Sequence, residues 1–357
     1  MKATEIFQIQ TMINKKMIKT KPSDLRALTE DPGSRNFFKD FWSARLRLIE
    51  KHLRYVFSKK VSAYNSILQT AMSYSVMSGG KRLRPVIVLA AAEASGMSPF
   101  KNSALLDGAC AVELIHTYSL IHDDLPALDN DDYRRGKLSS HKKFGEDMAI
   151  LAGDALLTMA FELLSRAIMR LKNRLDVSSA ADIIGESAVA AGMDGMVGGQ
   201  VADVKYSSKM LVSKTRQQGE EGGIAEPSRK KNFLSRYRRI LDYIHLNKTA
   251  RLIELSSVLG GLLAGAADHR KIALREYGRK IGLAFQITDD LLDDAPDSSD
   301  AKNFRLTYPS LYGRDAALKK AGELAREAVR ALAVFPRESQ AKKFLEQLAA
   351  FVVNRKK

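Results

Sequence analysis

Two aspartate clusters carry the chemistry that this chain could perform. Residues 120–136 read LIHDDLPALDNDDYRRG and place Asp123, Asp124, Asp129, Asp131 and Asp132 just before Arg134 and Arg135. The second cluster, FQITDDLLDD, contains Gln286, Asp289, Asp290, Asp293 and Asp294. On a helix, Asp289 and Asp293 share a face, with Gln286 about one turn before Asp290. Like charges at that spacing cost roughly 0.2–0.5 kcal/mol per pair, and aspartate is a poor helix-interior residue. Such a face calls for a compensating cation. Oxygen donors without histidine or cysteine suit Mg²⁺, Mn²⁺ or Ca²⁺. Neither cluster has the glycine turn and closing glutamate of a Ca²⁺ loop. Mg²⁺ takes one or two carboxylates and completes its sphere with water and phosphate oxygens. Two remote acidic faces with basic residues nearby therefore read as a Mg²⁺–diphosphate clamp, with Mn²⁺ as a substitute.

The basic side begins at Gly79-Gly80-Lys81-Arg82-Leu83-Arg84. This segment opens a helix, where free N–H groups and the helix dipole attract anions. Lys81 and Arg84, three residues apart, could grip one phosphate. His116 falls two turns before Asp123 on the same helix face. That spacing points it into the same cavity, and a satisfied core histidine is the alternative. No Ser–His–Asp or Cys–His arrangement supplies a protein nucleophile.

Helices must position these groups. From about Phe37, apolar residues recur at three- and four-residue spacing. Long helical runs are expected at about 85–94, 103–124, 150–170, 180–193, 237–266, 272–293, 313–333 and 339–355. No run alternates over six residues with β-branched enrichment. The fold class is all-α, with many helices and no repeat period. Residues 1–36 read as a basic N-terminal extension, with a turn at Asp31-Pro32-Gly33-Ser34. Residues 207–235, rich in glycine and paired charges, read as a basic loop insertion into a domain spanning 37–357.

Composition excludes several classes. The 357 residues contain 45% hydrophobic and 27% charged residues, the balance of a folded protein. A single cysteine excludes intrachain disulfides and cysteine-built metal clusters. The most apolar stretches, near 86–92 and 258–267, fall short of the ~20 residues of a membrane span, so no transmembrane segment is expected. Lysines interrupt the first apolar residues, arguing against a secretory signal. Acidic residues there weigh against a mitochondrial presequence, so a cytoplasmic location is expected, with organellar import as the alternative. The formal charge is +16. Residues 1–60 hold 14 basic and 6 acidic residues, and residues 205–240 hold 10 and 3. The basicity thus belongs to two appendages, with few aromatics among them, and a nucleic-acid partner is not expected.

Taken together, the motifs resemble the trans-isoprenyl diphosphate synthases, the short-chain polyprenyl synthetase family that includes farnesyl and geranylgeranyl diphosphate synthases. The likeness rests on GGKRLRP at 79–85, the first aspartate cluster, HKKFGEDMAILAGDAL at 141–156, GMVGGQVAD at 195–203, NKTA at 247–250 and FQITDDLLD at 285–293. It covers about Phe37 to the C-terminus, where FVVNRKK looks like the family's closing segment. The resemblance implies an all-α bundle around a deep central cavity, usually a homodimer. It implies Mg²⁺-dependent head-to-tail condensation of isopentenyl diphosphate with an allylic diphosphate, either dimethylallyl or geranyl. By matching motif, Asp123, Asp129 and Asp289 would ligate the metal, with Asp124, Asp290 and Asp293 completing the faces. Arg134, Lys248, Thr249 and Gln286 would hold the allylic diphosphate. Lys81, Arg84, His116 and Arg135 would hold isopentenyl diphosphate. Tyr118 and Ser119, five and four positions before Asp123, would floor the cavity. An aromatic at the fifth position resembles farnesyl synthases, so farnesyl diphosphate is the expected product. Geranylgeranyl diphosphate synthase and a non-catalytic synthase subunit are the alternatives. The sequence departs from the family in the shortened loop APDSSDAKNFRLTYP, which has Arg305 where a lysine is usual, and in the 207–235 insertion.

Overall fold

The computed structural model describes residues 25, 28, 32–207, 227–293 and 307–355. The described chain is helical apart from a two-residue-per-strand hairpin, β1 (Tyr133–Arg134) and β2 (Lys137–Leu138). The expected all-α class holds.

The helices run in order: α1 (Pro32–Phe57), α2 (Ser66–Val76), α3 (Leu83–Ala94), α4 (Ser103–Asp123), α5 (Ser140–Phe144), α6 (Glu146–Arg170), α7 (Val177–Ala191) and α8 (Met196–Ala202). After them come α9 (Pro227–Ile244), α10 (Arg251–Leu263), α11 (Asp268–Leu292), α12 (Tyr308–Tyr312), α13 (Arg314–Ala331) and α14 (Gln340–Asn354). Two π-type turns, Asp203–Ser207 and His245–Ala250, follow α8 and α9.

α4 and α10 form the middle of the bundle. α10 is buried along its whole length from Leu252 to Leu263. It packs against α3, α11 and α4, while α4 packs against α6 and α3. The Asn102 side chain caps α4 by accepting from the Leu105 N–H at 3.3 Å. The buried Asp107 carboxylate ties α4 to its neighbours through His52 (2.7 Å), Arg166 (3.3 Å) and Arg170. α4 is therefore held rigidly, and its C-terminal end delivers the first aspartate cluster.

Several boundaries differ from the sequence reading. α1 begins at Pro32, not near Phe37, because proline is well placed in a first helical turn. Its Phe38 ring stacks on Phe344 of α14 at 5.0 Å. Leu25 is buried as well, so the end of the expected extension belongs to the core. Residues 227–235, expected as loop, start α9, which docks through Tyr237 and Leu241 onto Tyr308, Leu311 and Tyr312. The expected helix over 237–266 is interrupted at the second π-type turn. The rest of the expected insertion, Asp294 and most of the shortened loop with Lys302 and Arg305 lie outside the described residues.

Among the described residues, α4 and α6 are long and apolar enough to cross a membrane by length and composition. The apolar stretch of α4 is 78% buried inside the bundle, as a core helix should be, and that of α6 is 39% buried.

Candidate active site

A cavity of about 420 Å³ opens between the C-terminal end of α4, α8 and the His245–Ala250 turn. Arg84, His116, Tyr118, Ser119, Asp123, Lys248 and Thr249 line it, so residues widely separated in sequence converge as expected. Its remaining walls are largely apolar, with Leu120, Leu128, Met196, Val197, Val201 and Val204.

Both aspartate faces sit at helix C-termini. Asp123 is the last residue of α4 and Asp124 its C-cap, while Asp289 and Asp290 lie in the last turn of α11 and Asp293 is its C-cap. A helix C-terminus carries partial negative charge, which disfavours carboxylates. Burial pushes the Asp123 carboxyl up to about 6; Lys248 and Arg134 oppose that shift, and Asp129 and Asp124 add to it. Burial likewise pushes Asp289 up to about 6, opposed by Arg355 and reinforced by Asp293 and Asp290. The loop after α4 folds back so that the Asp129 N–H donates to the Asp123 carbonyl at 2.8 Å.

These positions test the fit of a hard divalent cation. The donors are carboxylate oxygens, they are crowded and partly desolvated, and their ionisation lacks full compensation from the protein. Among the described residues, no three acidic, imidazole or thiol groups converge into a preformed metal cage. That suits Mg²⁺, which draws most of its sphere from water and phosphate oxygens. Asp123, Asp129, Asp289 and Asp293 are the residues that would hold it.

Asp124, Asp131 and Asp290 are held by neighbouring side chains. Asp124 accepts from Arg134 Nε at 2.9 Å, and Arg134 Nη2 also reaches Asp131 at 2.8 Å. Asp290 is buried and accepts from Gln286 Nε2 (2.8 Å) and the Tyr308 N–H (2.7 Å), with His245 Nε2 at 3.1 Å. Gln286 in turn accepts from Thr249 Oγ1 at 2.6 Å. A chain of hydrogen bonds thus links the cavity-lining Thr249 to the second aspartate cluster.

The cationic side is built around Arg84. It is half-buried, and its Nε is buried without a hydrogen-bond partner among the described residues. Burial lowers its pKa to about 10, opposed by Glu113 and Asp289. At neutral pH it therefore stays charged with a buried N–H left for an acceptor, as suits an anion site. Asp289 is near enough to favour the charged form of Arg84, although the second cluster does not itself line the cavity. His116 beside it is held well below the usual histidine range by burial and by Arg84 and Arg135, so the imidazole is neutral. Lys81 is placed differently from the sequence reading. α3 starts only at Leu83, and Arg82 adopts a left-handed conformation with φ 48°. Lys81 precedes the helix, is exposed, and does not stand beside Arg84 as a helical pair. Arg135 donates to the Gly79 carbonyl and, with Asp124 and Arg134, lines a small crevice adjoining the cavity.

Sequence reasoning gave no role to three further residues. Lys248 Nζ lies 2.6 Å from Asp203 Oδ2, joining the two π-type turns, an irregularity frequent at functional sites. Gln200 lines the cavity, and its amide nitrogen and oxygen are both buried without partners among the described residues. Arg355 pairs with Asp289. The signal for the first two was the glycine pair in GMVGGQVAD. A Cβ on Gly199 would stand 2.2 Å from the Lys248 backbone nitrogen, so only glycine lets α8 lie against the turn that carries Lys248 and Thr249.

Comparison with known proteins decides the family. The sequence model of the polyprenyl synthetases matches residues 65–348. The chain belongs to the polyprenyl synthetase family. It is 42% identical over 272 residues to the heterodimeric geranylgeranyl pyrophosphate synthase large subunit 1, chloroplastic, of Arabidopsis thaliana, covering 73% of this chain and 65% of that protein. It is 41% identical over 261 residues to the farnesyl diphosphate synthase of Geobacillus stearothermophilus, covering 71% and 77%. The crystal structure of a geranyltransferase from Legionella pneumophila superposes with a TM-score of 0.70 at 31% identity, covering 89% of this chain and 98% of that one. This polyprenyl synthetase is accordingly a prenyltransferase of the all-α isoprenoid synthase type.

Proposed function

We propose that this polyprenyl synthetase joins isopentenyl diphosphate head-to-tail to dimethylallyl or geranyl diphosphate, in a Mg²⁺-dependent reaction with farnesyl diphosphate as main product. The observation that carries this reading is one cavity lined by Arg84, whose buried Nε has no partner among the described residues, together with Lys248, Thr249 and Asp123, whose carboxyl is pushed up to about 6, while hydrogen bonds through Gln286 tie Thr249 to Asp290 of the second cluster. Two diphosphates meet both needs: one satisfies Arg84, and the other reaches the acidic faces together with its metal.

When bound, Mg²⁺ supplies positive charge that stabilises the departing diphosphate. Lys248 and Thr249 orient that diphosphate at the cavity mouth, with Gln286 fixing the Thr249 hydroxyl. As the allylic C–O bond ionises, its electrons leave with the diphosphate and a delocalised carbocation remains. Arg84, with neutral His116 beside it, holds isopentenyl diphosphate so that its double bond attacks the cation and forms the new C–C bond. A proton then leaves the adjacent carbon for the released diphosphate. The apolar walls exclude water that would quench the cation. Lys81 and Arg135 serve the isopentenyl side from the rim, and Arg134 steadies Asp124 below the allylic diphosphate.

Tyr118 supports the product assignment. It is buried, lines the cavity one turn before Asp123, and burial pushes its hydroxyl up to about 12, so the ring stays neutral against an apolar tail. Ser119 beside it donates to the His116 carbonyl at 2.9 Å. The names of the plant relatives favour a second reading, geranylgeranyl diphosphate synthase. Chromatography of products from wild type and Tyr118→Ala separates the two. A twenty-carbon wild-type product, or an unchanged variant, would overturn the length assignment.

A homodimer completes the reading. α6 and α7 expose Ile150, Leu151, Met169 and Val189, apolar side chains suited to a second copy. Sedimentation of the chain alone tests it, with a monomer pointing instead to a different subunit, as the heterodimeric relative's name suggests. The cytoplasm is the proposed location, and the chloroplastic relatives make an organelle the competing one.

A further inference from the structure

His122 is the point where the cavity floor meets α6. It directly precedes Asp123 and lines the cavity. Its ring stands edge-on to Tyr118, with centroids 5.8 Å apart and planes at 78°. Its Nε2 lies 3.1 Å from the Ile150 carbonyl oxygen on α6, and Asp154 Oδ1 is 3.9 Å away. The space for the imidazole is made by one residue. A Cβ on the buried Gly153 would fall 2.1 Å from His122 Nε2 and 2.5 Å from Cδ2. Glycine weakens a helix interior, so its presence within the 25-residue α6 is explained by this close approach. Among the described residues, no hydrogen bond holds the Tyr118 hydroxyl, and the position of that ring rests on packing.

We infer that His122, seated over Gly153 and tied to the Ile150 carbonyl, is the positioning residue that fixes the Tyr118 ring and so sets product length. The inference rests on the reading of Tyr118 as the cavity floor. An imidazole clamped to a core helix leaves the aromatic edge no room to tilt. Once the clamp is released, the ring can lean into the vacated volume, and the cavity lengthens without any change at Tyr118 itself. Gly153 does not line the cavity, so a substitution there acts on the tail only through His122.

The test is the ratio of the next-longer product to the main product, made from geranyl and isopentenyl diphosphates, with the Tm of each variant recorded. The set is wild type, Tyr118→Ala, His122→Ala, Gly153→Ala and the double variant Gly153→Ala/His122→Ala. His122→Ala should raise the ratio at least ~tenfold, the scale at which small volume changes alter tail selection. Gly153→Ala should move it the same way by displacing the imidazole. The double variant should match His122→Ala, because the collision is gone. If Gly153→Ala alone fails to fold, a folded double variant with the His122→Ala ratio supports the same contact. An unchanged ratio in His122→Ala, alongside a lengthened product in Tyr118→Ala, overturns the inference and leaves the floor reading standing. An unchanged ratio in Tyr118→Ala overturns the floor reading and the inference with it.

Discussion

Arg355, close to the C-terminus, donates to the Asp289 carboxylate while its guanidinium lies over the Phe285 ring, 3.9 Å from the centroid. The contact reaches from the end of α14 to the second aspartate cluster. It gives Asp289 a partial counter-ion, yet the carboxyl is still pushed up to about 6 by burial and by Asp293 and Asp290. Arg355 thus offsets part of the charge at this face, and the proposed substrate-borne cation would offset the remainder.

Removing either metal-facing carboxylate should abolish most turnover. Asp123→Asn and Asp289→Asn keep side-chain volume but lose the charge. Each should lower kcat at saturating Mg²⁺ by at least ~10²-fold, the scale of losing a key electrostatic stabiliser. Steady-state assays read this directly, and near-wild-type turnover in either variant would remove that residue from the metal clamp.

The raised carboxyl pKa values set a pH dependence. Their folded values, about 6, exceed the ordinary aspartate value of 3.8. Ionisation therefore works against the ligand-free fold: its cost is absent below the ordinary carboxylate range, grows as pH rises toward 6, and is complete above it. A bound cation reverses that cost. The Tm gain from Mg²⁺ plus inorganic diphosphate should thus be large at about pH 8 and mostly lost at about pH 5, where protons occupy the carboxylates. A gain independent of pH would contradict the assignment.

The two diphosphate sites should separate kinetically. Arg84→Ala should raise KM for isopentenyl diphosphate more than for the allylic substrate, and Lys248→Ala should do the reverse. Losing a charge-assisted hydrogen bond of ~1.5–3 kcal/mol corresponds to roughly ten- to a hundredfold. Lys81→Ala should have the smaller effect on the isopentenyl side, because Lys81 is exposed and precedes α3. Equal shifts for both substrates would mean that the cavity is divided differently.

The N-terminal boundary is testable by truncation. Deleting residues 1–24 should leave Tm nearly unchanged. Phe38→Ala should destabilise by up to about 3 kcal/mol, as expected for a partly buried aromatic stacked on Phe344. Thermal and urea unfolding would measure both. A large Tm loss on deleting 1–24, or a neutral Phe38→Ala, would place the core boundary elsewhere.

The candidate site was legible in the sequence because the proposed metal and phosphate chemistry needs particular residue types at particular spacings. Asp123, His116, Tyr118 and Ser119 fall on one stretch of helix, so periodicity alone could place them on a common wall. Lys248 and Thr249 reach the same wall through tertiary packing, which the family resemblance anticipated and spacing could not. Arg355 and Asp203 were silent because a single charge on an amphipathic helix or after a glycine pair reads as solvated surface. Lys81 was read at the opening of a helix, and the left-handed Arg82 keeps it just outside α3, which no local propensity indicated. The start of α9 was hidden by a run of lysines and arginines whose helical register shows only through Tyr237 and Leu241.

The most direct test supplies purified protein with isopentenyl and dimethylallyl diphosphates and follows diphosphate release and prenyl products together, with Mg²⁺ and with a chelator. The expected result is release that requires both substrates and Mg²⁺, matched one-for-one by new C–C bonds in an elongated prenyl diphosphate. Release from the allylic substrate alone, or elongation that persists in the chelator, would contradict a metal-dependent condensation at the Asp123–Asp289 site.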